Sequence, residues 1–356
     1  MTEVIIVGAG VLGLSAAFAI AENAGPSVKI TVVAEHDPES TPFSPKYTSP
    51  WAGAHFRPFP SKNPAELKDY PLARVTLSRF KELAKTNPES SIKFIKGTEY
   101  FGAPDRFYQN LTEGYKEGID NFRVLENSEL PPDVKMGTEY DTFVMNSPHY
   151  LVFLYRKLRF QYDVKFVKAR LGSLSEAPKY ADSPNPVVVN CTGMGLMWDG
   201  GYDPACFPIR GQTLLVNPPT GNKYENITVT HQSASNEWTF CIPRPLDGGM
   251  ILGGTKQPYE TDEAPRPEDT KALIERGSKL FPELMKTDDK GKKYFDIVRV
   301  NVGFRPARDG GINFAVERRG NVTVINAYGA GGSGYEFSYG VGHKVYQLLV
   351  SLRSKL

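Results

Sequence analysis

The sequence predicts an α/β protein with a second, α+β unit, and three observations carry that prediction. Residues 4–33 read as strand, glycine turn, helix and strand. Residues 208–255 alternate apolar and polar side chains. A last apolar run at 322–325 enters a glycine-rich turn and a closing helix. A chain of 356 residues suits two domains at roughly 150 residues each. Its 40% hydrophobic and 23% charged residues are those of an ordinary globular protein. A net charge of +2 gives no reason to expect nucleic acid or a membrane surface as partner. Cys191, Cys206 and Cys241 lack paired spacing, so neither a disulfide framework nor a zinc site is expected, and a reducing compartment fits. No metal is expected.

The elements follow in order. Val4-Ile5-Ile6-Val7 is the run expected of a strand covered on both faces of a parallel sheet. The Ala- and Leu-rich stretch 12–22 is the crossover helix, and 28–33 the second strand, giving one right-handed βαβ unit. The apolar start is not a signal peptide: Glu3 precedes it, no basic segment leads it and glycines break it. Residues 56–140 are less regular, with one amphipathic helix near 67–83. Strand signals follow at 164–167 and 187–189, then at 212–216, 238–242 and 250–252, the last three suggesting an antiparallel sheet that walls a ligand pocket. A helix is expected over 267–280, and the closing helix from about 339. No segment is apolar enough to span a membrane.

Gly8-Ala9-Gly10-Val11-Leu12-Gly13 sits between strand and helix, the context that makes such a turn a dinucleotide-binding, Rossmann-like signature. The first glycine turns the chain, the second admits a pyrophosphate to the backbone, and the third lets helix pack on strand. The helix N-terminus offers free N–H groups and a partial positive charge. Glu35, at the end of the second strand, is placed to hold a ribose. The turn alone does not separate FAD from NAD.

Six blocks carry a family resemblance. Tyr47-Thr48-Ser49-Pro50-Trp51-Ala52-Gly53-Ala54 resembles the SPWAGA segment of fungal D-amino-acid oxidases. Val189 to Gly195 is similar to their second FAD motif, and Ile209 to Thr213 to their RGQ turn. Ile242 to Pro245 with Leu252 to Thr255 resembles their substrate-sheet hairpin. Asn301 to Arg308 matches VGxRPxR, and Ala327 to Tyr335 the C-terminal YGxxGxGY turn. The blocks keep family order over essentially the whole chain. The resemblance implies FAD as cofactor and oxidation of a D-amino acid by hydride transfer to flavin N5. The products would be a 2-oxo acid, ammonia and hydrogen peroxide, with molecular oxygen as second substrate. It implies a discontinuous FAD-binding domain (1–56, 144–200 and 298–356) and a substrate domain (57–143 and 201–297).

By the same resemblance Gly8, Gly10, Val11, Leu12, Gly13, Glu35, Thr48, Ser49, Gly53, Ala54, Gly193, Gly332, Ser333, Gly334 and Tyr335 contact FAD. Arg305 is the catalytic-site arginine that holds the substrate α-carboxylate, a task suited to a planar, bidentate cation. Gly332 borders the substrate as well. Two positions depart from the family: Phe240 stands where fungal relatives carry a carboxylate-binding tyrosine, and Glu336 where a glutamine is often found. Lys256 follows Gly253-Gly254-Thr255, where neutral-substrate relatives lack charge and D-aspartate oxidases carry arginine. A buried ammonium there, helped by His55 and Arg57, would favour acidic D-amino acids. If His55 shares the role, activity on D-aspartate weakens as pH rises. In the alternative, all three are solvated surface groups and the substrates are neutral D-amino acids. A glycine- or sarcosine-type amine oxidase and a non-catalytic flavoprotein are the remaining alternatives. The chain ends Ser354-Lys355-Leu356, the address read by a peroxisomal import receptor, so a peroxisome is expected. The short span from Ala315 to Val322 speaks against the loop-mediated dimer of one fungal type, and leaves a homo-oligomer through another surface as a guess.

Overall fold

The computed structural model describes residues 2–40 and 43–353. Its main strands, in chain order, are β1 (Thr2–Val7), β2 (Val28–Ala34), β3 (Lys93–Phe101), β4 (Met136–Val144), β5 (Lys165–Lys168), β6 (Val187–Asn190), β7 (Cys206–Val216), β8 (Ile227–Gln232), β9 (Trp238–Pro243), β10 (Met250–Gly253), β11 (Ile297–Arg308), β12 (Val316–Arg319) and β13 (Val322–Asn326). The main helices are α1 (Val11–Ala24), α2 (Pro64–Thr86), α3 (Ser147–Gln161), α4 (Pro267–Leu280) and α5 (Gly334–Arg353).

The first sheet runs β12-β13-β6-β1-β2-β5 and is parallel except for the β12 edge. Val4 pairs with both Ile30 and Val187, so the β1 run is central and covered on both faces, as its composition requires. α1 is buried along most of its length, including Leu14, Ala16, Phe18 and Ile20, because α5 and α3 pack around it. Small alanines allow that approach. α2 joins the same core through Ala73, Leu77, Phe80 and Leu83.

The second sheet is larger and mainly antiparallel. It runs β7-β10-β9-β8-β3-β4, with short strands Gln257–Pro258 beside β7 and Arg123–Val124 beside β4, and β11 pairs with β7. Thus the irregular 56–140 stretch holds two nine-residue strands. Gly97 and Glu99 interrupt the apolar alternation of β3 and hide it from the sequence. The segment 298–308, expected with the FAD-binding half, is hydrogen-bonded along β7 instead. Pro306 faces Pro208 in that ladder, and prolines inside a run argue against a strand when only the sequence is read. α3 was not foreseen, and α5 starts at Gly334, five residues before the expected 339. Among the described residues no helix is long and apolar enough to cross a membrane, and no group of three or more His, Cys, Asp or Glu could hold a metal ion.

Candidate active site

β1 delivers the glycine turn to the edge where the strand order reverses. Gly8 has φ +108°, and a Cβ there would lie 2.4 Å from the Cys191 carbonyl oxygen. A Cβ at Gly13 would lie 1.9 Å from the Gly8 carbonyl oxygen. Gly10 is the α1 N-cap, with extended backbone and no side-chain cap, and the first turn (Val11, Leu12, Gly13) carries no acid. The turn therefore keeps an open face with donors and positive potential, where an anion is stabilised.

Several contacts gather distant segments onto this turn. The Val11 amide donates to Ser49 Oγ at 3.0 Å. Tyr47 donates to the Ala9 carbonyl at 2.8 Å, and Tyr335 to the Ser49 carbonyl at 2.9 Å. A Cβ on Gly334 would lie 3.5 Å from Val11 Cγ1, which places the start of α5 on the start of α1. Gly193 faces Pro306 and Gly332 faces Arg305, at 3.4 and 3.6 Å from their would-be Cβ atoms. Thr48 donates its hydroxyl to the Phe304 carbonyl, so it ties this segment to β11. Arg244, in the Ile242 to Pro245 block, is buried and donates to the carbonyls of Pro50, Ala52 and Gly53. The Ala54 amide donates to the Met145 carbonyl in turn. Ser333 donates its amide to the Ala330 carbonyl. Beside Ala9, a cleft of about 220 Å³ is lined in part by Val32, Ala34, Asp37, Tyr155 and Phe166. Glu35 stands just outside it, half-exposed and 3.9 Å from Arg170.

Arg305 projects from β11 with Nη1 donating to the Thr255 carbonyl at 3.2 Å. Burial holds its pKa below the ordinary arginine value, and no carboxylate pairs with it among the described residues. Its guanidinium occupies the space that a Gly211 side chain would fill: a Cβ there would sit 2.5 Å from both terminal nitrogens. Phe240 lies against the Gly253 backbone in the same way, its ring 2.4 Å from that glycine's would-be Cβ.

The three residues proposed to read the substrate side chain come out differently from one another. Lys256 is exposed, not buried, at the rim. Partial desolvation, then Arg305, Arg57 and Lys62, lower its pKa, so these four cations share one neighbourhood. His55 is neutral. Burial, then Arg57, push its pKa down to about 3, which removes the expected positive charge. Thr228 donates to the Cys241 carbonyl at 3.0 Å, so its oxygen accepts from His55 Nδ1 at 3.0 Å. Arg57 is charged but already partnered. Its Nη1 donates to Glu99 at 2.9 Å and to Tyr108 at 3.2 Å, and its guanidinium stacks over Trp238 at 4.8 Å. Burial opposes its charge, and the Tyr108 and Glu99 contacts more than offset that. Glu99 is itself fully buried and accepts from Tyr115 at 3.0 Å. Nothing in the sequence announces that pair, which joins residues 42 apart across two elements.

The profile of FAD dependent oxidoreductases matches residues 3–348. The chain belongs to that family. It is an FAD-dependent oxidoreductase, and the open glycine turn, uncapped helix start and adjoining cleft are a cradle of the right chemistry for that cofactor. The chain is 37% identical to a D-aspartate oxidase of Talaromyces thermophilus, over 99% of this chain and 96% of the relative. It is 36% identical to a D-amino-acid oxidase of Schizosaccharomyces pombe, over 95% and 93%. Among solved structures it matches glycine oxidase from Bacillus cereus with a TM-score of 0.68 and 17% identity, covering 99% of this chain and 96% of that one. That likeness concerns the fold.

Proposed function

We propose that this enzyme oxidises D-amino acids to 2-oxo acids, ammonia and hydrogen peroxide, with acidic D-amino acids, D-aspartate first, as preferred substrates. One observation carries the reading: Arg305 presents a guanidinium that no carboxylate among the described residues neutralises, and Lys256 and Arg57 stand in the same neighbourhood. Arg305 takes the α-carboxylate. Its Nη1 is steadied by the Thr255 carbonyl, which orients the planar group for a bidentate pair. Lys256 and Arg57 supply positive field for a second carboxylate. Phe240 packs its ring against Gly253 and Gly254 of the hairpin. FAD, when bound, supplies the acceptor for the α-hydrogen as hydride and the electrons that reduce oxygen. Its pyrophosphate would rest on Gly8, Gly10 and the amides of Leu12 and Gly13, beside Ser49, which takes the Val11 amide. Ser49, Gly53, Ala54, Gly193 and residues 332–335 would line the rest.

A broad neutral specificity is the second reading, and two observations favour it: Lys256 is exposed, and Arg57 already pairs with Glu99. Peroxide formation from D-aspartate, D-alanine and sarcosine, assayed separately, decides among the readings. D-aspartate should give the highest kcat/KM. Sarcosine as best substrate would replace the D-amino-acid reading, and no peroxide from any would leave a flavoprotein of other chemistry.

We further infer a peroxisomal location through an import receptor. The support is the terminal tripeptide Ser354-Lys355-Leu356, which lies outside the described residues, together with a peroxide product. A fluorescent protein fused upstream should appear in puncta, and a diffuse cytosolic signal would contradict this.

A further inference from the structure

Glu336 is a carboxylate that the reading above leaves without a task. It lies in the first turn of α5, is 9% exposed, and faces four groups on four segments. Its Oε1 accepts from the Arg57 amide at 3.2 Å. Among the described residues its buried Oε2 has no hydrogen-bond partner at bonding geometry, and the nearby Ser333 side chain only partly favours its charge. Arg57 and Arg74 act on it as charges, the latter from α2, while Ser333 lies on its own turn and Tyr140 approaches from β4. Arg74 spends its donors on the carbonyls of Glu117 and Gly114. Arg57 spends Nη1 on Glu99. An unpartnered buried carboxylate oxygen is costly when ionised, and a proton relieves that cost. Burial, opposed by Arg57 and then by weaker contacts, pushes this group up to about 7.

Arg57 faces two carboxylates, Glu99 and Glu336, while Arg74 faces Glu117 ahead of Glu336. Protonating Glu336 therefore removes one of the two negative charges that face Arg57. Lys256 and Arg305 lie beyond it on the substrate side, and His55 adds no charge.

We propose that Glu336 is a specificity-determining positioning residue, which takes a proton from solvent when a dianionic substrate binds and so removes a negative charge beside Arg57 that would oppose the distal carboxylate. This rests on the acidic-substrate reading above. Linkage makes it reciprocal: a dianion raises the proton affinity of Glu336, and ionised Glu336 weakens the dianion. A monocarboxylate, held by Arg305 alone, does not draw on this exchange.

The test uses the FAD-loaded enzyme with D-malate and D-lactate, which carry a hydroxyl in place of the amine and so remove its titration from the result. Binding is read from the flavin absorbance at pH 6.5 and 8.5. Between these pH values wild-type affinity for D-malate should fall at least about fivefold more than that for D-lactate. In Glu336→Gln, which keeps the acceptor for the Arg57 amide, the excess should vanish while flavin content is unchanged. An excess of equal size in Glu336→Gln assigns the proton elsewhere, Lys256 first, and overturns the proposal. So does weaker D-malate binding by the variant at pH 6.5. Equal affinity of both proteins for D-malate and D-lactate at both pH values sinks the acidic-substrate reading itself. Calorimetry of the wild type in buffers of different ionisation enthalpy needs no variant. D-malate should take up most of a proton near pH 7.5 and D-lactate none, and equal uptake by the two would overturn the proposal.

Discussion

Gly211→Ala isolates the placing of Arg305 from its presence. The new methyl would start 2.5 Å from Nη1 and Nη2 and 2.6 Å from Cζ of Arg305. Carbon contacts settle at about 3.5 Å, so the guanidinium must retreat by roughly 1 Å. That shift strains the Nη1 bond to Thr255, 3.2 Å long in the native arrangement. The backbone has less reason to object: Gly211 pairs with Gly303 in an ordinary antiparallel register, and alanine suits a strand better than glycine. Stability should therefore change little while the α-carboxylate meets a displaced cation. A misplacement of about 1 Å costs on the order of 10²-fold in rate, equivalent to about 2.7 kcal/mol. Steady-state peroxide assays should show that loss in kcat/KM for D-aspartate and D-alanine alike, because both share the α-carboxylate. Flavin content and melting temperature should stay near wild type. A variant with kcat/KM within about threefold of wild type would show that Arg305 does not act from this position.

Three other substitutions probe the cradle and the side-chain site. Gly13→Ala drives a methyl to 1.9 Å from the Gly8 carbonyl oxygen, backbone that cannot yield, so the purified protein should be colourless and less stable; full flavin occupancy at an unchanged melting temperature contradicts this. Lys256→Met removes a rim charge and should lower kcat/KM for D-aspartate by about tenfold, spare D-alanine and flatten the salt dependence; an unchanged substrate preference makes Lys256 a mere solvated lysine. His55→Gln should leave the pH profile of kcat/KM between 6 and 8 in place, because the imidazole is neutral throughout. The depressed folded pKa, about 3 against 6.5, means its stability contribution is full above pH 6.5 and lost as pH falls toward 3. Acid unfolding below pH 6 should thus become shallower in that variant, and a shifted activity profile would restore His55 as a charge.

The parts of the site legible in the sequence are those where local backbone demands dictate residue type. The glycine turn is one, since Gly8 and Gly13 face backbone at distances no side chain tolerates. The hairpin glycines beside Phe240 are another. Ser49 and the start of α5 were placed by motif, and both touch Val11 at the turn. What escaped depends on tertiary burial. Glu99 reads as one more charge in an irregular stretch until β3 turns it inward beneath Arg57. His55 loses its charge through burial, with Arg57 beside it, and the exposure of Lys256 is likewise set by the tertiary fold. Arg244 looks like a surface arginine, yet it holds three carbonyls nearly two hundred residues away. β11 was hidden by Pro306, which pairs with Pro208 in the ladder, while the Pro208 carbonyl accepts from the Tyr259 amide.

Arg305, Lys256 and Arg57 rise from separate pieces of chain: the β11 ladder, the turn after β10 and the segment following Ala54. The grip on the reacting end of a substrate can therefore stay constant while the other two pieces vary. Substrate range becomes an adjustable trait, open to drift or to directed libraries at positions 55–57 and 256, without moving Arg305.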